Sequence, residues 1–210
     1  IWCTPADLIA DDVRELRPHA RPETLLTDAG SVKAAICTPL ASPDPPIFIG
    51  SHPLTGSERQ GFEHADADLF VDRVCVITPE PSTPPEAVGR LQRFWEALGM
   101  SVLELSAEDH DRTLARTSHL PHLLAAALAA SLADGDSRLT ASGFRDTTRI
   151  AAGDPLLWLP ILLDNAAAVT AALDRFEGRL AEFRAAISSR DREALKILLE
   201  QAKTVRDGLP

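Results

Sequence analysis

An α/β half followed by an all-helical half is the fold this sequence predicts, and three observations predict it. Short β-branched apolar runs, Ile47-Phe48-Ile49 and Val74–Thr78, alternate with helical patterns as far as about residue 105. From Ser106 onward only helical periodicity remains. The composition, 45% hydrophobic and 25% charged over 210 residues, is that of a folded chain long enough for one or two cores. Alternating strands and helices imply a mostly parallel sheet, with ligands at the carboxyl ends of its strands.

Taken in order, Ile1–Cys3 reads as a strand end closed by Thr4-Pro5, with a helix from about Asp7 to Leu16. Leu25-Leu26-Thr27 is a short strand that runs into the turn Asp28-Ala29-Gly30-Ser31 and a helix at Val32–Ile36. Several of the sixteen prolines fall in Pro39–Pro46, which makes that segment a loop. Ile47–Ile49 and Val74–Thr78 are buried strands. Between Pro84 and Gly99, Val88, Leu91, Phe94, Trp95 and Leu98 recur at helical spacing, and Gly99 is the stop. Ser101–Leu105 is a further strand. Ser106-Ala107-Glu108-Asp109 has the form of a capped helix start, and that helix is expected to run to about Ala133 with a bend at Pro121. Asp154-Pro155 opens a very long helical stretch with an apolar stripe at Leu159, Leu163, Ala166, Val169, Leu173, Phe176, Leu180, Phe183 and Ile187. A stripe that long is expected to pack on other helices, including those of a second subunit.

Lys and Arg number 21 against 31 Asp and Glu, a net charge of −10, which argues against nucleic-acid and anionic-membrane partners. The longest apolar runs, Leu123–Ala130 and Leu156–Leu163, fall well short of the roughly 20 residues a bilayer span needs. Cys3, Cys37 and Cys75 are scattered and odd in number, which reads as reduced thiols in a cytoplasmic protein. The chain opens as if inside a strand, and is expected to be an incomplete copy of a longer protein.

Four polar clusters sit at turns or helix starts. In Asp28-Ala29-Gly30-Ser31-Val32-Lys33, Gly30 permits a tight turn, and the following helix offers free N–H groups; a routine strand-to-helix turn would look the same. In His52-Pro53-Leu54-Thr55-Gly56-Ser57-Glu58-Arg59-Gln60-Gly61, a histidine at a strand's carboxyl end is placed to accept a hydroxyl proton, unless it is a satisfied loop histidine. In Ser118-His119-Leu120-Pro121-His122, Ser118 and His122 share a helix face while His119 turns away. His110, His119 and His122 also raise a metal site and a metal-dependent hydrolase, but no HExxH or cysteine cluster supports one. In Gly143-Phe144-Arg145-Asp146-Thr147-Thr148-Arg149-Ile150, followed by Asp154 and Trp158, the arginines make either a carboxylate clamp or an ion-paired helix end. None of the eleven glycines forms a Gly-x-Gly pair, so the dinucleotide fingerprint is absent, as are the P-loop and G-x-S-x-G motifs.

In this order and at these distances, the four clusters resemble the prephenate dehydrogenase family, over nearly the whole chain. The resemblance implies a partial Rossmann-like parallel-sheet domain at residues 1–105, lacking its first strands and phosphate-binding glycine loop. It implies a helical substrate-binding and dimerisation domain at 106–210, similar to the C-terminal domain of 6-phosphogluconate dehydrogenase. The implied activity is NAD- or NADP-dependent oxidative decarboxylation of prephenate to 4-hydroxyphenylpyruvate on the route to tyrosine, with arogenate as the alternative substrate. A non-catalytic dimerisation or ligand-binding fragment is the rival. By the same resemblance His52 takes the proton of the ring hydroxyl, Ser31 contacts that hydroxyl and Arg149 pairs with the ring carboxylate. Ser118 and His122 help hold the substrate, with Glu58, Gly143, Asp146 and Trp158 in support. Thr4, Pro5, Asp28, Gly30 and Ser31 would lie beside the nicotinamide end of the cofactor, no metal is required, and the protein is a homodimer through its C-terminal helices.

Overall fold

A computed structural model describes residues 1–56, 64–133 and 135–209. The chain forms two compact units, Ile1–Val169 and Thr170–Pro210. In the first, α1 (Ala6–Leu16) buries Ile9 and Val13 on one face. Strand β1 (Leu25–Leu26) pairs in parallel with β2 (Ile47–Phe48), and Trp2 bridges in parallel to Asp28 on the other side. After one residue the chain continues as β3 (Gly50–Pro53), which pairs antiparallel with β4 (Val74–Thr78); β4 pairs in parallel with β5 (Ser101–Glu104). The β3–β4 pair is the departure from a parallel sheet. An antiparallel partner needs no crossover helix, and none separates these strands among the described residues.

α2 (Ala34–Cys37) is a single turn, and α3 (Pro85–Ala97) buries Ala87, Leu91 and Trp95. Gly99 ends that stretch with φ of +88°, a conformation that favours glycine. These elements build two cores. Ile9, Val13, Val32, Ile36 and Phe48 form one with Ala107 and Ile161, while Ile49, Cys75, Ile77, Leu91, Trp95 and Met100 form the other. Because Ala107 and Ile161 are built into the first core, the expected boundary at 105/106 falls inside the first compact unit.

The expected helix from Ser106 is three pieces. α4 (Ala107–Leu114) starts where Ser106 caps the Asp109 N–H at 3.0 Å. A π-helical turn at Ala115–His119 follows, then α5 (Leu120–Ala130), with Pro121 in its first turn where a missing N–H costs little. Next come α6 (Ser142–Thr148) and α7 (Pro155–Asp164), the latter capped by Asp154 on the Leu156 N–H at 2.9 Å. The long stretch expected from Asp154 breaks at Asn165, whose φ and ψ of −108° and 25° leave the helix, before α8 (Ala166–Ser188). Sequence periodicity passes through this break unmarked. Asn165 turns its side-chain N–H groups to the Asp111 carbonyl at 2.8 Å and to His119 Nδ1 at 3.2 Å. In the second unit, α9 (Arg192–Asp207) starts at the Asp191 cap. The striped residues Leu180 and Ile187 of α8 and Ile197, Leu199 and Val205 of α9 are exposed in the single chain.

Candidate active site

Every described group of this site belongs to the first compact unit. His52 stands near the carboxyl end of β3, on the strand that runs antiparallel to β4, where it meets the helical segments around residues 114–122 and 149–161. Together they enclose a cavity of about 600 Å³ lined by Ser31, His52, Ser118, His119, His122, Arg149 and Trp158, among others. An imidazole from the first half of the sequence and a guanidinium from the second therefore share one cleft. A second cavity of about 490 Å³ is lined by Thr4, Pro5, Gly30 and Ser31, and it shares Ser31, Asp154, Leu157 and Ile161 with the first.

His52 leads a line of buried polar groups. Its Nδ1 lies 2.8 Å from His110 Nε2, and His110 Nδ1 lies 2.7 Å from Asp111 Oδ1. The Asp111 carboxylate also accepts the Lys33 N–H at 2.8 Å and the Ala34 N–H at 2.9 Å, which ties it to the start of α2. Burial pushes the Asp111 carboxyl upward, but hydrogen bonds from His110, Ala34 and Lys33 prevail and hold it below 3.8. Burial, with the neighbouring His110, Lys33 and His119, holds His52 well below the usual 6.5, so its imidazole is neutral and can accept a proton near pH 7.

The opposite wall is aromatic. Trp158 stacks on His122 with centroids 3.6 Å apart and planes 8° off parallel, and meets His119 edge-on at 6.2 Å. A Cβ at Gly153 would stand 2.7 Å from Trp158 Nε1 and 3.2 Å from His122 Cε1. Gly153→Ala is therefore expected to displace the stacked pair and to cost about 1–3 kcal/mol of stability, read from the urea midpoint.

His119 is 1% exposed, and burial lowers its pKa from 6.5 to about 4, with His110 and His122 adding to the shift and Asp111 opposing it. The unfolded chain thus binds more protons than the folded one between those values. The stabilisation is complete above pH 6.5 and is lost as pH falls toward 4, by about 3 kcal/mol from His119 alone. His52, displaced in the same direction, adds to that loss. Urea titrations at pH 7.5 and pH 5 check this, with the lower midpoint expected at pH 5.

Several expectations are corrected. His119 is not turned away from the site: it lines the same cavity as Ser118 and His122, three residues before His122 and so on the same helix face. Asp28 lines neither cavity. It is fully buried, paired with Lys33 Nζ, and accepts the Gly30 N–H at 2.9 Å and the Ser51 N–H at 3.0 Å, so it anchors the turn from behind. Gly143 and Asp146 sit on the exposed surface of α6, one to two turns before Arg149, and off the cavity lining. Glu58 lies outside the described residues. Nothing in the sequence marks Asp111 or Asn165, while Lys33 figures there only as the last residue of the Asp28–Lys33 cluster and His110 only as a metal ligand. Among the described residues no group of His, Cys, Asp and Glu could hold a metal ion.

Comparisons with known proteins account for both halves. Residues 1–104 match the nucleotide-binding domain of prephenate dehydrogenase, and residues 106–201 match its dimerization domain. A cyclohexadienyl dehydrogenase of Zymomonas mobilis is 34% identical over 217 residues, covering 100% of this chain and 74% of the relative. The prephenate dehydrogenase of Bacillus subtilis is 33% identical over 90% of this chain, which spans 53% of that relative. Among solved structures, prephenate dehydrogenase from Aquifex aeolicus, in complex with hydroxyphenyl propionate and NAD+, superposes with a TM-score of 0.89 at 31% identity, covering 97% of this chain and 73% of that one. Arogenate dehydrogenase from Synechocystis gives 0.85 at 36%, covering 97% and 76%. With both family models matched and relatives more than 30% identical over most or all of its length, the chain belongs to the prephenate dehydrogenase family.

Proposed function

We propose that this chain carries the catalytic residues of a prephenate dehydrogenase, with arogenate as the alternative substrate and NAD as the cofactor. The observation that carries this reading is the shared cavity. A neutral imidazole and an arginine face one space of about 600 Å³, the size of site that suits a small diacid. The adjoining cavity at Thr4, Pro5, Gly30 and Ser31 suits the flat nicotinamide end of a dinucleotide, because it opens onto the same Ser31. The Aquifex structure solved with NAD+ supports that cofactor. When bound, the nicotinamide supplies the acceptor for hydride.

The protein's own part follows from these positions. Arg149 holds the ring carboxylate by charge-assisted hydrogen bonds and turns the ring hydroxyl toward His52 and Ser31. His52 takes the hydroxyl proton as the carbinol C–H bond breaks, which leaves a dienone on the substrate ring. The bond to the ring carboxylate then breaks, CO₂ leaves, and its electron pair aromatises the ring to a phenolate. His52 returns the proton to that oxygen, so no net proton is consumed. Trp158, stacked on His122, walls the ring from water.

We assign sheet and helical domains at 1–105 and 106–210, and a homodimer through the C-terminal helices, which the matched dimerization domain and the exposed apolar side chains of α8 and α9 support. The three free thiols support a reducing, cytoplasmic setting. Calorimetric titration with prephenate, followed by addition of NAD and a reading of reduced-nicotinamide absorbance, tests the assignment. Binding with prephenate-dependent absorbance growth is expected. Failure to bind either prephenate or arogenate overturns it. Because no Gly-x-Gly pair is present, prephenate binding without dinucleotide binding would instead mark this chain as a ligand-binding fragment.

A further inference from the structure

We propose that His110 and Asp111, neither of which lines the cavity, act as positioning residues that fix the tautomer of His52. This rests on the reading of His52 as the proton acceptor, and it adds how that acceptor is made.

The direction of each hydrogen bond follows from its far end. Asp111 already accepts two backbone N–H groups, from Lys33 and Ala34, which is the setting of an ionised carboxylate. A carboxylate can only accept, so His110 must present Nδ1–H to it across 2.7 Å. That leaves the His110 Nε2 lone pair facing His52 Nδ1 at 2.8 Å, so His52 must donate from Nδ1. Its Nε2 is then bare and available to the cavity, the state a base needs. The reversed chain would set the His110 Nδ1 lone pair against a carboxylate oxygen at the same distance, two acceptors with no hydrogen between them.

The relay is held on every side. His110 is fully buried, and its ring meets that of His52 edge-on at 5.0 Å between centroids. The Asp111 carbonyl takes a hydrogen bond from Asn165 at 2.8 Å, at the break between α7 and α8. The base on β3 is thus set by a pair on α4, which is itself fixed by the start of α2 and by Asn165. Buried second partners that orient an imidazole in this way are known to decide which nitrogen is protonated. In water, free histidine prefers the opposite tautomer, with the proton on Nε2. Without the relay, His52 would present a donor to the substrate hydroxyl.

The test is a long-range ¹H–¹⁵N correlation spectrum of the 210-residue chain, labelled at histidine, at pH 8 without ligand. His52 is expected to show a protonated Nδ1 and a bare Nε2. A majority Nε2-protonated form overturns the proposal, whether or not the chain turns over substrate. His110→Phe, which removes the acceptor, should move His52 to the Nε2-protonated form and lower kcat about 100-fold with KM held within about threefold. His110→Gln, whose side-chain carbonyl can again accept from His52 Nδ1–H, should recover the parent tautomer. An unchanged His52 spectrum in a folded His110→Phe protein contradicts the relay. If that variant does not fold, the parent spectrum decides alone. Absent turnover with the expected tautomer would sink the dehydrogenase reading and leave the relay standing.

Discussion

His52→Asn lowers kcat by about 10²–10⁴-fold and leaves KM near its parent value, because general-base assistance contributes roughly that much and the amide cannot take a proton. The imidazole is partly buried on the cavity, and its pKa is pressed well below 6.5 by burial first, then by His110, Lys33 and His119. Parent kcat should therefore stay flat from alkaline pH down through 6.5 and fall only at lower pH. Steady-state kinetics on parent and variant across pH 5 to 9 check both statements. A His52→Asn protein with unchanged kcat removes His52 from the chemistry.

Arg149→Ala is expected to act on binding. Removing one partner of a desolvated charge pair costs about 2–5 kcal/mol, which raises KM or the prephenate Kd about 30-fold or more. Arg149 lies in the short 3₁₀ turn after α6 and lines the same cavity as His52. It is exposed, so its value comes from what a bound carboxylate excludes from water. Turnover of substrate once bound should change far less than affinity. Calorimetric titration of prephenate into the variant separates the two effects, since a variant with parent affinity would show that the carboxylate is held elsewhere.

The split in effect between these residues reflects how the sequence announces them. His52 and Arg149 stand at the ends of local patterns, a β-branched run and a polar helix start, so their neighbourhoods could be read along the chain. Ser31, Ser118, His122 and Trp158 were legible for the same reason, and the structure brings all of them to one cavity. Helix caps at Ser106 and Asp154 also follow from local chemistry, and both form.

What escaped the sequence depends on contacts distant along the chain. Asp111 meets Lys33 across 78 positions, and no spacing rule reports such a pair. Asp28 looked like a ligand residue because it precedes a glycine turn. Lys33, five positions on, comes back to neutralise it in the core. The stripe through Leu163, Ala166 and Val169 keeps its step of three across Asn165, so periodicity carries no trace of a break made by one side chain's hydrogen bonds to Asp111 and His119. The π turn is invisible for a related reason. One extra residue per turn changes which side chains share a face, and the composition of Ala115–His119 does not reveal it.

The account stands on two groups gripping one ligand. A crystal structure of the chain with prephenate and no dinucleotide, at pH 8, measures this directly. The predicted density shows the ring hydroxyl within hydrogen-bond reach of His52 Nε2 and a carboxylate paired with Arg149 in the same cavity. Prephenate bound elsewhere, or bound there with His52 and Arg149 both untouched, would contradict it.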